Sequence, residues 1–195
     1  MSRKRVAVLI SGRGSNMTAL IAAAKQPGYP AEIVLVVSNN PDAGGLVTAQ
    51  GEGIATEVVD HKPFGKDRAA FEDAIQAVLE RHRIDIVCLA GFMRVLTAGF
   101  VDRWHGRMLN IHPALLPAFK GLDTHRRALE AGVTEHGATV HLVVPDMDSG
   151  PIVMQGAVEV RPGDTEAELA ARVLAVEHRI YPEALKMLAE GRFTP

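Results

Sequence analysis

Three short apolar runs in the first half of the chain constrain its fold more than any other feature. Each run is rich in β-branched residues and shows no alternation of polar with apolar side chains; the runs cover 6–10, 33–37 and 84–90. Strands of this kind are typically buried on both faces, as in a parallel sheet covered by helices. Residues 16–25 and 67–83 lie between the runs and repeat apolar side chains at helical spacing. The alternation of strand and helix predicts a doubly wound α/β domain.

The second half of the chain predicts an antiparallel edge to this sheet. Two late strands flank a loop over 145–151 that is short enough for an antiparallel connection. We therefore predict a single domain over residues 1–195, with a mostly parallel, Rossmann-like sheet and an antiparallel edge. The expected elements are strands at 108–112, 138–144 and 152–160, a proline-bounded loop at 113–117, and helices near 124–131 and from about 164 to 190.

Composition supports one globular domain. The chain has 195 residues, of which 47% are hydrophobic and 23% charged, close to the averages for a soluble protein. At this length about 70% of the surface of the unfolded chain is buried on folding, so stability requires neither disulfides nor a structural metal. The single cysteine, Cys88, lies within a predicted buried strand. We interpret it as a small core residue and not as a nucleophile.

Charge and hydropathy argue against several classes of partner. Lys and Arg number 21 and Asp and Glu 23, a formal net charge of −2, and the only basic run is the short segment 3–5. Nucleic-acid binding requires clustered positive charge, which the sequence lacks. No apolar run reaches a membrane span, and the N-terminus has no signal-peptide pattern. We expect a cytoplasmic protein that acts on small molecules, without nucleic-acid or membrane partners, and that is either a monomer or a homodimer.

A glycine-rich segment, Gly12-Arg13-Gly14-Ser15-Asn16, follows the first strand and opens the first helix. Backbone N–H groups and the helix dipole converge at such a turn, which favours an anion. The segment is not a dinucleotide fingerprint, because Met17 replaces the third glycine, and no Gly-Lys-Ser/Thr follows as in a P-loop. It could instead be a tight turn with Ser15 or Asn16 as the helix N-cap. The hydroxyl and amide side chains favour a phosphomonoester.

Asn110 and His112 stand two residues apart on a predicted strand, so their side chains leave the same face. Pro113 ends the strand, which puts both residues near its carboxyl end, where open α/β sheets bind ligands. An amide donor beside an imidazole suits acyl transfer, in which one group stabilises an oxyanion and the other moves a proton. The alternative is a hydrogen-bonded structural histidine.

Asp146 and Asp148 lie in the loop between the late strands. They could form a solvated turn, which is the default, or a pair of metal ligands, or an orienting partner for His112. A catalytic zinc site has little support, because the other histidines show neither HExxH nor paired Cys/His spacing. Those histidines are His61, His82, His105, His125, His136, His141 and His178.

Four segments, in order along nearly the whole chain, resemble the phosphoribosylglycinamide formyltransferases, a branch of the folate-dependent formyltransferases. The wider family shares the Asn-x-His-Pro pattern at 110–113 and the Asp-x-Gly-Pro pattern at 148–151, whereas Gly-x-Gly-Ser-Asn at 12–16 indicates the substrate; the fourth segment is 89–96. The resemblance implies transfer of a formyl group from 10-formyltetrahydrofolate, as co-substrate, to the amine of glycinamide ribonucleotide in purine biosynthesis, without a metal.

The resemblance also implies roles for individual residues. Asn110 and protonated His112 would stabilise the oxygen of the attacked formyl group, and Asp148 would hold the imidazole and favour its charged form. The ribonucleotide site is expected at Gly14, Ser15, Asn16, Leu174, Ala175, Val176 and Glu177. The folate site is expected at Arg68, Met93, Arg94, Val95, Leu96, Asn110, Val144, Pro145, Asp146, Met147 and Asp148.

Three alternatives are weighed against this interpretation. Formyltetrahydrofolate hydrolases keep the Asn, His and Asp arrangement but carry an extra N-terminal domain, for which a first strand near Arg5 leaves no room. Methionyl-tRNA formyltransferases carry an extra C-terminal domain and bind RNA. A non-catalytic nucleotide-binding module would need only the glycine loop.

The chain departs from the family pattern at Arg13 and at Ala114, where many relatives have Ser, and it stops at Pro195 without a longer tail. None of these departures removes a proposed catalytic residue.

Overall fold

The computed structural model describes residues 2–193, which contain a seven-stranded mixed sheet in the order β3-β2-β1-β4-β5-β6-β7. Strands β1 to β5 pair in parallel, and β6 and β7 are antiparallel. The prediction of a mostly parallel sheet with an antiparallel edge is therefore confirmed. The strands are β1 Lys4–Ile10, β2 Ala31–Ser38, β3 Ala55–Val58, β4 Ile86–Leu89, β5 Met108–His112, β6 Glu135–Leu142 and β7 Ile152–Glu159.

Helices cover both faces of this sheet. Helix α2, helix α4, strand β3 and a 3₁₀ turn are short elements that the sequence analysis did not predict. Strand β3 has four residues and no apolar run, and glycines lower the helix propensity of α2. The helices are α1 Ser15–Ala24, α2 Gly44–Gly51, α3 Arg68–Arg81, α4 Ala98–Arg103, α5 Thr124–Glu130 and α6 Glu166–Ala189, and the 3₁₀ turn is Lys62–Phe64.

Burial on both faces explains why the strands read as continuous apolar runs. Along β1, Val6 and Val8 pack into one hydrophobic cluster with α1 and α6. The alternate residues Ala7 and Leu9 pack into a second cluster, on the other face, with α3 and α4. Every residue from Val6 to Ile10 is fully buried. Alternation is lost because neither face of the strand meets water.

Helix α6 is hydrogen-bonded directly to two neighbouring strands of the sheet. It begins with a capping box, in which the Thr165 side chain accepts from the Glu168 N–H and the Glu168 side chain accepts from the Thr165 N–H. Further along, the fully buried Tyr181 hydroxyl contacts the Leu89 carbonyl at 2.8 Å and the Leu109 carbonyl at 3.2 Å. Tyr181 therefore links α6 to β4 and β5. None of the helices within residues 2–193 is long and apolar enough to cross a membrane.

Candidate active site

A cleft opens where the strand order reverses. Strand β1 lies between β2 and β4, so the connections from these strands leave in opposite directions and open a crevice at their carboxyl ends. The crevice has a volume of about 230 Å³ and combines the segment after β1 with the start of the segment after β4. Its lining residues are Gly12, Arg13, Gly14, Ser15, Asn16, Ala90 and Gly91.

The glycine segment leads into the N-terminus of α1, and the N-cap residue is neither Ser15 nor Asn16. Gly14 is the N-cap, with φ of +67°, a left-handed conformation that glycine adopts without steric cost. Ser15 is the first helical residue, so the alternative in which Ser15 or Asn16 caps the helix is wrong. Among the described residues no side chain caps α1. Its first N–H groups are therefore free to bind an anion.

Asn16 and Glu177 meet although 161 residues separate them in the chain. The Asn16 Nδ2 donates to Glu177 Oε1 at 3.1 Å, and both residues are only 8% exposed. Burial raises the pKa of the Glu177 carboxyl, and the bond from Asn16 opposes the shift in part. Asn16 Oδ1 is buried without a partner among residues 2–193. A buried acceptor left unpaired costs free energy, which a hydroxyl donor on a ligand would recover.

The rest of the predicted ribonucleotide segment, Leu174, Ala175 and Val176, lies on α6 just before Glu177. Val176 packs against the hydrophobic core and Ala175 is exposed, so these residues differ in their surroundings. The side chain that α6 brings to Asn16 is that of Glu177.

His112 lies at the end of β5 with both ring nitrogens directed at identifiable groups. Its Nε2 is 2.8 Å from the Phe119 carbonyl oxygen, which can only accept, so Nε2 carries a proton. Its Nδ1 lies 3.6 Å from Asp148 Oδ2, beyond hydrogen-bond length but within ion-pair range. The His112 side chain is 7% exposed and that of Asp148 is 9% exposed. Little water therefore screens the interaction between them.

Asp148 is held in place from several directions. Its backbone is left-handed, with φ of +51°. Its Oδ2 accepts from the Gly121 N–H at 2.9 Å, and its Oδ1 lies 3.8 Å from His141 Nε2. A Cβ at Gly150 would lie 1.7 Å from the Leu142 carbonyl oxygen, so only glycine lets the loop pass this close to β6. The default interpretation of a solvated turn is therefore wrong for Asp148, whereas Asp146 is exposed.

His141 lies between Asn110 and Asp148, and the sequence analysis did not identify it as a site residue. It lies opposite Asn110 in the β5–β6 register. Its Nδ1 donates to the Leu142 carbonyl oxygen at 2.9 Å, so the neutral ring accepts at Nε2 from Asn110 Nδ2, 3.3 Å away. Burial lowers the pKa of His141, although the Leu142 bond and Asp148 oppose this. Only the cross-strand register, which the sequence does not give, could have identified it.

The two segments expected to contact folate, 93–96 and 144–148, follow β4 and β6. Three of their apolar side chains, Met93, Val95 and Met147, are 66%, 60% and 59% exposed. The first segment is hydrogen-bonded to the residue that follows β1, because the Met93 N–H donates to Ser11 Oγ at 2.8 Å. Exposed apolar side chains beside a polar cluster are typical of a site for a flat, partly apolar ligand.

The remaining members of the folate set are Arg94, Leu96, Val144, Pro145 and Arg68. Arg68 is the first residue of α3; it is exposed, and its side chain makes no hydrogen bond or ion pair within residues 2–193. Pro145 is exposed as well, whereas the other three are half-buried.

Cysteine and histidine side chains outside this cluster are the other groups that could take part in chemistry. Cys88 is fully buried and burial raises the pKa of its thiol to about 12, which confirms the interpretation of a core residue. Within residues 2–193 no three His, Cys, Asp or Glu side chains are grouped as metal ligands. His125 and His136 form a pair, in which His125 Nδ1 lies 3.2 Å from His136 Nε2 and the two rings pack edge to face.

Comparison with known proteins identifies relatives along nearly the whole chain. The model of the formyl transferase family matches residues 4–185. Phosphoribosylglycinamide formyltransferase of Escherichia coli (strain K12) is 44% identical over 187 residues, which are 96% of this chain and 88% of that protein. The crystal structure of phosphoribosylglycinamide formyltransferase from Brucella melitensis superimposes with a TM-score of 0.93 at 54% identity, covering 99% of both chains.

A longer relative also matches. The trifunctional purine biosynthetic protein adenosine-3 of Homo sapiens is 53% identical over 189 residues, which are 97% of this chain. The chain spans 19% of the length of that protein. The match concerns one part of a larger protein.

Proposed function

The chain belongs to the formyl transferase family, and on this basis we propose that it transfers the formyl group of 10-formyltetrahydrofolate to the amine of 5-phosphoribosylglycinamide. The products are formylglycinamide ribonucleotide and tetrahydrofolate, and the reaction is a step of purine biosynthesis. The observation that carries the proposal is a series of close contacts at the edge of the sheet that also carries the glycine cleft. His141 lies 3.3 Å from Asn110 and 3.8 Å from Asp148, and Asp148 lies 3.6 Å from His112.

The ribonucleotide binds in the cleft between β1 and β4. The uncapped start of α1 takes the phosphate, with Gly14, Ser15 and Asn16 around it. Asn16 Oδ1, which has no partner within residues 2–193, and the buried Glu177 carboxyl supply acceptors for the ribose hydroxyls. The phosphate is held at the helix N-terminus and the ribose at the buried polar pair, and these two contacts together orient the amine of the substrate.

The folate binds along the segments 93–96 and 144–148. Met93, Val95 and Met147 offer exposed apolar surface for the ring system. Arg68, an exposed cation at the start of α3, binds the acidic outer part of the co-substrate. Because Asp148 ends the second segment, folate binding and the catalytic group share one loop.

The reaction proceeds by direct attack. The amine nitrogen bonds to the formyl carbon, and the carbonyl oxygen gains negative charge as the carbon becomes tetrahedral. Asn110 Nδ2 and protonated His112 stabilise that oxygen, and Asp148 stabilises the cationic ring. The bond from the formyl carbon to N10 of the folate then breaks. N10 takes up one proton and the amine loses one, with His112 or water as carrier.

The scheme uses neither a metal nor a covalent enzyme intermediate. Its other source of acceleration is the binding of both substrates in one crevice, because holding two reactants in register can lower a barrier by about 7 to 11 kcal/mol. The burial of Asn16, Glu177 and His112 favours this effect.

The test is the release of tetrahydrofolate with and without the ribonucleotide. We expect release that requires the ribonucleotide. Release at the same rate without it would instead indicate hydrolysis of the formyl group, and absence of release in both mixtures would indicate a binding module. His112→Ala, with an unchanged circular dichroism spectrum, should lower turnover by about 10² to 10⁴, the range for a positioned acid or base.

A further inference from the structure

Phe119 adopts a backbone conformation that aromatic residues avoid. Its φ is +53°, in the left-handed region. For residues other than glycine this region is disfavoured, and for a bulky side chain it is an outlier. Such conformations persist only where the surroundings hold them, and they concentrate at functional sites. The contacts of Phe119 therefore hold its backbone in a conformation that the residue alone disfavours.

The conformation directs the main chain of 119–121 at both partners of the candidate catalytic pair. The Phe119 carbonyl oxygen accepts from His112 Nε2 at 2.8 Å. Two residues later, the Gly121 N–H donates to Asp148 Oδ2 at 2.9 Å. One short segment thus fixes the imidazole and the carboxylate that face each other across 3.6 Å.

Neighbouring side chains hold Phe119 in place. Its ring packs edge to face on His136, with centroids 5.9 Å apart, and the Arg127 guanidinium lies 5.6 Å from its centre. Arg127 also donates to the Lys120 carbonyl at 2.6 Å and to the Leu122 carbonyl at 3.1 Å. Arg127 therefore occupies the carbonyls of Lys120 and Leu122, and the Phe119 carbonyl accepts from His112.

We propose that Phe119 is a positioning residue, whose left-handed backbone aims its carbonyl at His112 and thereby fixes which ring nitrogen faces the site. With Nε2–H donated to this carbonyl, the neutral ring keeps its lone pair on Nδ1, toward Asp148. Within residues 2–193 no other group accepts a hydrogen bond from Nε2, so without the carbonyl no contact there selects that tautomer. The effect on turnover rests on the proposed function; the effect on the ring does not.

The experiment compares Phe119→Asn with Phe119→Val. The two side chains are of similar size and neither is aromatic, but asparagine tolerates the left-handed region and β-branched valine does not. We expect Phe119→Asn to keep kcat within about threefold of Phe119→Tyr, the control that retains a ring. The kcat of Phe119→Val should be at least tenfold lower than that of Phe119→Asn, and the KM of both substrates should change less than threefold. A role in hydrophobic packing predicts the opposite order, with valine better than asparagine.

The second readout is the protonation pattern of the His112 ring in the free protein, followed by ¹⁵N NMR. The neutral ring should be protonated at Nε2 in the unmodified chain and in Phe119→Asn, and should be a mixture of tautomers in Phe119→Val. If Phe119→Val does not fold, Phe119→Ala replaces it, because alanine also disfavours the left-handed region. Valine equal to or better than asparagine in kcat, or one tautomer in all folded variants, would overturn the proposal. The NMR readout still decides if no formyl transfer is found.

Discussion

Replacing Asp148 with asparagine removes the carboxylate that faces His112 while keeping nearly the same shape. The variant can still accept the hydrogen bond from the Gly121 N–H, which now reaches a carboxylate oxygen at 2.9 Å. The loop should therefore keep its position. What changes is the stabilisation of a cationic His112 ring.

The size of the effect follows from the geometry. Two unit charges 3.6 Å apart interact by about 4 to 5 kcal/mol at an effective dielectric constant of about 20. Both side chains are less than 10% exposed, so salt screens the pair weakly. The asparagine dipole recovers part of the loss. With about 1.4 kcal/mol per factor of ten, we expect kcat to fall by about 10² to 10³.

The assay is ribonucleotide-dependent release of tetrahydrofolate at saturating concentrations of both substrates, with circular dichroism as the check on folding. Asp102→Asn is the matched control, because that carboxylate is exposed on α4, in another part of the chain. It should leave kcat within about twofold. If folded Asp148→Asn retained more than a tenth of the original kcat, the electrostatic role of Asp148 would be refuted.

Three further predictions address binding, stability and pH. Ser15→Asp should weaken ribonucleotide binding far more than folate binding, because a second anion would face the phosphate at the start of α1; calorimetric titrations showing equal losses, or none, would contradict this. Tyr181→Phe should lower the free energy of unfolding by about 1 to 3 kcal/mol, since two buried carbonyls lose their hydroxyl contact, and an unchanged melting temperature would count against it. Burial lowers the pKa of His136 to about 4, below its value of about 6.5 in the unfolded chain. The free energy of unfolding should therefore decrease as the pH falls from about 6.5 to 4, and it should decrease less in His136→Gln. Denaturant titrations at several pH values measure this free energy, and the same decrease in both proteins would exclude His136 as a cause.

The sequence was most informative where burial sets the pattern. The runs at 6–10 and 33–37 lie within β1 and β2 because both faces of those strands are covered. The strand predicted at 108–112 matches β5 at both ends. Pro113 correctly indicated that Asn110 and His112 lie near the carboxyl end of that strand.

Other features depended on long-range geometry that no local pattern contains. The N-cap of α1 is Gly14, and the Asn16 side chain pairs with Glu177, on a helix at the far end of the chain. His141 reaches Asn110 through the register of β5 with β6. The Phe119 carbonyl reaches His112 only because of an unusual backbone angle. Residue type alone predicts neither a register nor a carbonyl direction.

The most direct test of the account follows the formyl carbon itself. The protein is mixed with 10-formyltetrahydrofolate labelled with ¹³C in the formyl group and with 5-phosphoribosylglycinamide, and the label is followed by NMR. We expect the label to move to the amide of formylglycinamide ribonucleotide, and we expect Asn110→Ala to slow this transfer by about 10² to 10³, as for loss of one oxyanion donor. Label appearing as free formate, or transfer that proceeds unchanged in folded Asn110→Ala, would contradict it.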